Sequence, residues 1–155
     1  MKVLVGKYVK THGIKGEIKV RSNFLYKDRI FQTGKKVFLK DQEFTIKDYR
    51  KHQEYDMLTF EGINDINQIL SLKGNFLYAN REDLGLKQEE YLDSDLIGLD
   101  LYQNNILVGK VRDIAFITKN KKLLVINSHY VPFELIKKVD LKNKRIDIEE
   151  VLGLL

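Results

Sequence analysis

The sequence contains no cysteine among its 155 residues. Neither a disulfide framework nor a thiolate metal site is therefore possible, and the cytoplasm is the expected setting. No apolar run approaches the ~20 residues that a membrane-spanning helix needs. The chain instead begins Met1-Lys-Val-Leu-Val-Gly6, which leads directly into a strand pattern. We therefore expect neither a signal peptide nor a membrane anchor.

Residues that could form a catalytic or metal site are also scarce. The only histidines are His12, His52 and His129, and no two have the spacing that a zinc site on one helix face requires. The adjacent Glu149 and Glu150 would point to opposite sides of an extended chain. No serine lies in a nucleophile elbow. The residues therefore form no persuasive active site, and we expect no cofactor and no metal.

Positive charge is present, but it is confined to the front of the chain. Residues 1–40 carry 11 Lys or Arg against 2 Asp or Glu, whereas residues 84–155 carry 11 against 11. This asymmetry favours an anionic partner at one end of the molecule, with nucleic acid as the leading candidate. Charge of this kind supports affinity and says nothing about which bases are read.

The centre of the basic region is Lys10-Thr-His-Gly-Ile-Lys-Gly-Glu17, which lies between two strand patterns and predicts a hairpin. Its glycine spacing is too short for a P-loop, and strands flank it where a KH loop would join helices. A tight connection with solvated lysines is the alternative to a binding loop. The predicted RNA contacts are Lys7, Lys10, Thr11, Gly13, Lys15, Gly16, Lys19 and Arg21.

Short strand patterns fill residues 1–82, and together they predict a small closed or nearly closed β-barrel. One helix of about ten residues is expected between Asn64, as its cap, and Gly74. A polar bend is expected over Arg50–Asp56. Residues 83–90 read as a linker, because charged residues there surround only two leucines.

Residues 91–155 predict a second β-rich domain, so that the expected architecture is two small all-β domains with a minor helix. Ile106 to Ile117 reads as one long strand with a bulge or bend at Gly109. The only proline, Pro132, suits a strand edge or a bulge but not a central strand. The apolar Val151–Leu155 should pack back on its domain.

Several motifs resemble those of one family, RimM, the bacterial ribosome maturation factors for the small-subunit rRNA. They occur in the family's order and cover nearly the whole chain. The motifs are Val5-Gly-Lys-Tyr-Val-Lys-Thr-His-Gly-Ile-Lys-Gly-Glu-Ile-Lys-Val20, Tyr49-Arg-Lys-His52, Leu58-Thr-Phe-Glu-Gly62, Asp95-Leu-Ile-Gly-Leu99, Gly109-Lys-Val-Arg-Asp-Ile114 and Val131-Pro-Phe133.

The resemblance implies an amino-terminal six-stranded barrel, similar to the second domain of translation factors, and a carboxy-terminal PRC barrel. It implies a non-catalytic, monomeric assembly factor that binds the immature small ribosomal subunit near its head. The implied partners are precursor 16S rRNA, whose 3′ major domain it helps to mature, and the nineteenth small-subunit ribosomal protein.

The family commonly has two adjacent tyrosines at the start of the PRC half, implicated in partner binding. Here Tyr91 is the first, and Leu92 replaces the second. The predicted protein-partner residues are Tyr91, Leu92, Asp95, Leu96, Pro132 and Phe133. Two alternatives stay open from the residues alone: a general RNA-binding module without a dedicated ribosomal protein partner, and an rRNA nuclease.

Overall fold

The computed structural model describes residues 1–118 and 120–150. The chain divides into two compact units, Met1–Gly85 (unit 1) and Leu86–Leu155 (unit 2). Both are built from β-strands, short turns and 3₁₀ helices, so the predicted all-β class is confirmed. The exact bounds of the linker, 83–90, remain a prediction, although Leu84 at its start is buried and its carbonyl oxygen accepts a hydrogen bond from Arg29.

Unit 1 is a closed six-stranded barrel in the order β1-β2-β5-β4-β3-β6, with every neighbouring pair antiparallel. Closure leaves no free sheet edge among these strands. Its 3₁₀ helices are Lys27–Arg29, Ile66–Gln68, Leu70–Leu72 and Arg81–Leu84. The strands are β1 (Lys2–His12), β2 (Glu17–Arg21), β3 (Lys36–Leu39), β4 (Gln42–His52), β5 (Tyr55–Phe60) and β6 (Phe76–Asn80).

Alternating side chains fill the barrel. Val5, Ile18, Val20, Leu58 and Phe60 are all almost completely buried. Because successive strand residues point to opposite faces, the residues between them lie on the outside of the barrel. The strands therefore place the basic side chains of β1 and β2 outward.

The single predicted helix is wrong, because two 3₁₀ helices replace it. Asp65, not Asn64, caps the first: its side chain accepts a hydrogen bond from the Asn67 amide at 2.7 Å, in a capping box. Ile69 separates the two helices with φ −125° and is fully buried. This extended φ lies outside the helical range. Burial of Ile69 in the core thus outweighs continuation of the helix.

The predicted polar bend over Arg50–Asp56 is also wrong in extent. Strands β4 and β5 continue through most of it and leave a tight turn at Gln53-Glu54, where Gln53 has φ +56°. Polar composition misled the prediction, because Arg50, Lys51 and Glu54 are exposed to solvent although the backbone on both sides of the turn is paired.

Unit 2 contains a four-stranded sheet in the order β12-β13-β7-β8 and a three-stranded sheet in the order β11-β10-β9. Its core includes Leu96, Leu101, Leu124 and Ile146. The 3₁₀ helices are Asp93–Leu96 and Phe133–Leu135. The strands are β7 (Asp100–Gln103), β8 (Ile106–Lys110), β9 (Asp113–Thr118), β10 (Lys121–Val125), β11 (Tyr130–Pro132), β12 (Ile136–Asp140) and β13 (Arg145–Ile148).

The predicted long strand from Ile106 to Ile117 is wrong, because β8 and β9 belong to different sheets. Val111 is buried at the break, and its amide donates to the Leu99 carbonyl oxygen at 2.9 Å. The bulge near Gly109 is confirmed by a register shift in the pairing of β8 with β7. Pro132 lies in edge strand β11, as predicted. The tail, Val151–Leu155, is outside the described residues.

Candidate nucleic-acid interface

The β1–β2 hairpin presents its cations in facing pairs. Lys7 lies opposite Arg21, and Lys10 lies opposite Lys19, with an extra residue of β1 between the two pairs. Thr11 is half-buried, and Lys15 is exposed in the turn. The predicted cations of the hairpin therefore lie together on the outer surface of unit 1.

The turn of the hairpin is anchored through its backbone. The Ile66 amide donates to the Ile14 carbonyl oxygen at 2.8 Å. Gly16 has φ +92°, and a Cβ there would come within 2.7 Å of Ile63 Cγ2. Gly13, with φ +73°, has open space around it. Gly16 thus shapes the loop through both its conformation and its contact.

One line of side chains crosses five strands on the outside of the barrel, and we call it the outer row. It consists of Phe76, Lys7, Arg21, Tyr55 and His52, on β6, β1, β2, β5 and β4 in turn. Pairing sets this order, since Lys7 lies opposite both Phe76 and Arg21, and Tyr55 lies opposite His52. The Arg21 guanidinium donates to the Tyr55 hydroxyl at 3.1 Å, which joins the two halves.

Carboxylates neutralise little of the positive charge of the hairpin lysines and arginine. Glu17 accepts two hydrogen bonds from Arg50, at 2.8 and 2.9 Å. The pKa of Glu17 is lowered, first by these bonds and further by the nearby His12 and His52. Across residues 1–118 and 120–150, no carboxylate forms an ion pair with the hairpin cations, which are Lys7, Lys10, Lys15, Lys19 and Arg21.

A buried carboxylate lies next to the outer row, on the inside of the barrel wall. Asp56 is fully buried; it accepts hydrogen bonds from Lys27 at 2.9 Å and from Tyr49 at 2.6 Å. Lys51 lies 3.7 Å away. Burial, and then the bond to Asp56, raises the pKa of Tyr49 to about 12. This network joins β4 and β5 to the Lys27–Arg29 helix.

Unit 2 places two of the six predicted partner residues in its interior. Leu92 and Leu96 are buried, and the Asp95 side chain accepts a hydrogen bond from the Leu92 amide at 2.8 Å. Tyr91 packs against the core, and burial, followed by the charge of Asp93, raises its pKa. Leu92, where the resemblance implied a second tyrosine, is therefore a buried position in this chain.

The remaining four predicted partner residues, which include Pro132 and Phe133, are half-buried. Pro132 lies in edge strand β11, and Phe133 packs against the core with Lys122 Nζ 4.6 Å from its ring centroid. Among the described residues of the unit, the most exposed apolar side chains are elsewhere: Phe116, Ile117 and Tyr130 are each more than 60% exposed. Their positions in strand patterns are typical of core residues, so no local pattern indicated this surface.

The sequence also missed Phe76, Tyr55 and His52 as members of a basic surface. Only strand register places them beside Lys7 and Arg21, because they come from three distant parts of the chain. No cluster of three potential metal ligands occurs in the part of the chain that the structure describes. None of the described helices is long and apolar enough to cross a membrane.

Two family models match the chain along most of its length. The model of the RimM N-terminal domain matches residues 3–84, and that of the RimM PRC barrel domain matches residues 93–154. The chain belongs to the RimM family. Unit 1 is therefore the RimM N-terminal domain and unit 2 its PRC barrel, which confirms the resemblance and the two predicted barrel types.

Relatives within the RimM family match over the full length. The protein named ribosome maturation factor RimM from Staphylococcus aureus (strain bovine RF122 / ET3-1) is 41% identical over 166 residues, covering 100% of this chain and 99% of the relative. Its counterpart from strain MRSA252 is 40% identical over 170 residues, with the same coverage. A crystal structure of a 16S ribosomal RNA processing protein RimM from Pseudomonas aeruginosa is 18% identical, with a TM-score of 0.48 over 97% of this chain and 98% of that one.

Proposed function

We propose that this chain is a ribosome maturation factor whose unit 1 binds small-subunit rRNA through the β1–β2 hairpin and the neighbouring outer row. The observation that carries the proposal is the group of uncompensated hairpin cations on one face. Full-length relatives named ribosome maturation factor support the ribosome as the setting.

The physical argument concerns phosphates. Lysine and arginine that neutralise backbone phosphates release counterions, so they give affinity and position without reading bases. The hairpin supplies such side chains on a rigid closed barrel, with Lys10 directly opposite Lys19. Like charges that face one another across a ladder are unfavourable in the free protein. An anionic ligand would remove that repulsion on binding.

The finer assignment is a division of labour between the units. Unit 1 contacts precursor 16S rRNA in the immature small subunit near its head, and unit 2 contacts the nineteenth small-subunit ribosomal protein. Binding then promotes maturation of the 3′ major domain without catalysis, in the cytoplasm. Two observations favour a protein partner for unit 2: residues 84–155 have no net charge, and Phe116, Ile117 and Tyr130 are exposed.

Sedimentation with precursor and salt-washed mature small subunits tests this assignment. A maturation factor binds the precursor in preference to the mature subunit, whereas a general RNA-binding module binds both alike. Incubation of the pure protein with precursor rRNA and magnesium adds a test of catalysis. Specific cleavage there would contradict a non-catalytic role and favour the nuclease alternative.

The partner surface of unit 2 is tested separately. Phe116→Ser and Tyr130→Ser should weaken capture of the purified ribosomal protein, because they remove exposed apolar contacts. A matched control is Leu25→Ser, which changes an exposed apolar side chain of unit 1. Equal capture by all variants would place the contact elsewhere.

A further inference from the structure

The outer row combines aromatic faces with cations. Phe76 is 48% exposed, and Lys7 Nζ lies 5.5 Å from its ring centroid. At the other end, Tyr55 has Arg21 Cζ at 5.6 Å and Lys19 Nζ at 5.2 Å from its ring centroid. An aromatic side chain therefore lies at each end of a pair of cations.

The spacing between strands gives the distance between the two aromatic side chains. Phe76 and Tyr55 are three strand steps apart, and neighbouring strands lie about 4.8 Å apart, which separates them by roughly 14 Å. Tyr78, two residues along β6 from Phe76, lies on the same face and is also partly exposed. Small β-barrels that bind single strands use stacking surfaces of this kind for segments of about four nucleotides or more.

Exposed aromatic rings beside cations favour unpaired nucleic acid over a duplex. In a duplex the base faces are stacked inside the helix, so an aromatic side chain on a barrel wall can reach only phosphates and sugar edges. Unpaired bases are splayed out and can stack on aromatic rings. Lys7 and Arg21, between the rings, meet the phosphates that join such bases. A protein partner fits less well, because charged residues are depleted from the core of protein interfaces.

We propose that the outer row binds an unpaired segment of RNA, with bases stacked on Phe76 and Tyr55 and the backbone held by Lys7 and Arg21. This inference rests on the proposed function and specifies the form of the rRNA that the same face recognises.

The first test compares affinities of the full chain by fluorescence anisotropy. The ligands are a labelled single-stranded RNA and a labelled blunt-ended RNA duplex with the same total number of phosphates. Phe76→Ala and Tyr55→Ala should each weaken single-strand binding by about fivefold or more, since each removes one stacked base. Duplex binding should stay within about twofold, because the base faces of a duplex are not accessible to the two rings. Tyr130→Ala, an exposed aromatic of unit 2, is the matched control and should change neither.

The second test uses the absence of tryptophan from the chain. Phe76→Trp introduces a single tryptophan whose fluorescence should be quenched when the single strand is added and not when the duplex is added. Tyr130→Trp should show no quenching with either ligand. Because this variant keeps an aromatic ring at residue 76, it reports stacking even where Phe76→Ala fails to fold.

The two tests separate this inference from the proposed function. Tight duplex binding, unchanged affinity in Phe76→Ala and Tyr55→Ala, and no quenching in Phe76→Trp would overturn base stacking. If neutralisation of Lys10, Lys15 and Lys19 still weakens binding in that case, the phosphate face stands and only the unpaired-segment assignment is wrong. If the single strand quenches Phe76→Trp but neutralisation of Lys10, Lys15 and Lys19 leaves binding unchanged, the unpaired-segment assignment stands. The three hairpin lysines are then not the phosphate contact.

Discussion

Lys27→Met should destabilise unit 1 strongly, because it leaves the buried Asp56 carboxylate without its closest cation. Asp56 is fully buried, whereas the Lys27 side chain is 30% exposed and its ammonium also donates to the Ser22 carbonyl oxygen at 3.2 Å. Removing one partner of a buried ion pair costs about 3–5 kcal/mol. Lys51 at 3.7 Å and access of water beside Lys27 offset part of this cost.

The expected loss is therefore about 2–3 kcal/mol, and the melting temperature of a domain of this size should fall by about 10–20 °C. Urea unfolding of the full chain, followed by circular dichroism, measures it, and amide exchange in β4 and β5 assigns the transition to unit 1. Lys47→Met, an exposed lysine on β4, is the control and should change stability by less than about 0.5 kcal/mol.

A double variant sharpens the test. Asp56→Asn keeps an acceptor for Tyr49 but removes the buried charge, so Lys27→Met should cost much less in that background. A coupling of about 1–3 kcal/mol between the two changes is expected for groups in direct contact. If Lys27→Met alone costs no more than Lys47→Met, Asp56 does not depend on Lys27 and the reasoning fails.

Three further predictions concern the hairpin and its surroundings. Gly16→Ala should lower the melting temperature more than Gly13→Ala, because both add strain at positive φ but only Gly16 lacks space for a Cβ. The pKa of Glu17 is lowered by Arg50, so its contribution is present above pH 4.5 and is lost on acidification below it. The urea midpoint should therefore fall further from about pH 7 to about pH 3 in the parent chain than in Arg50→Gln. The pKa of Tyr49 is raised to about 12, so its hydroxyl stays protonated and its hydrogen bond to Asp56 stabilises the fold up to pH 10. This stabilisation is lost as the pH rises towards 12. In an ultraviolet titration of the tyrosines, Tyr49→Phe should remove the last ionisation step.

The sequence predicted the fold class well, because period-two alternation and glycine-bounded turns are local signals. Features that depend on tertiary context were missed. Burial of Ile69 divides the expected helix in two, and burial of Val111 divides the expected strand between two sheets. Local pattern cannot show such breaks, because each residue alone fits the longer element.

The candidate nucleic-acid interface was predicted only in part, because only some of its residues are close together in the sequence. The hairpin cations are close in sequence, so charge counting found Lys10 and Lys19. Phe76 and Tyr55 join them only through strand register, which links distant segments. In unit 2, two of the apolar residues predicted as partner contacts, Leu92 and Leu96, are buried. The prediction failed there because a short motif does not show whether an apolar residue faces inward or outward.

The salt dependence of RNA binding tests the central claim most directly. The affinity of the full chain for precursor 16S rRNA is measured over a range of salt concentrations, for the parent and for the variant Lys10→Gln, Lys15→Gln, Lys19→Gln. If the three lysines each meet a phosphate, binding weakens and the slope of log affinity against log salt falls in magnitude by about 2. The matched control neutralises the exposed Lys137, Lys138 and Lys142 of unit 2.

The control triple variant should keep the parent slope, although it carries the same change in net charge. A reduced slope in the hairpin variant alone would establish the β1–β2 hairpin as a phosphate-binding surface. An unchanged slope in the hairpin variant, or an equal reduction in both variants, would contradict the account.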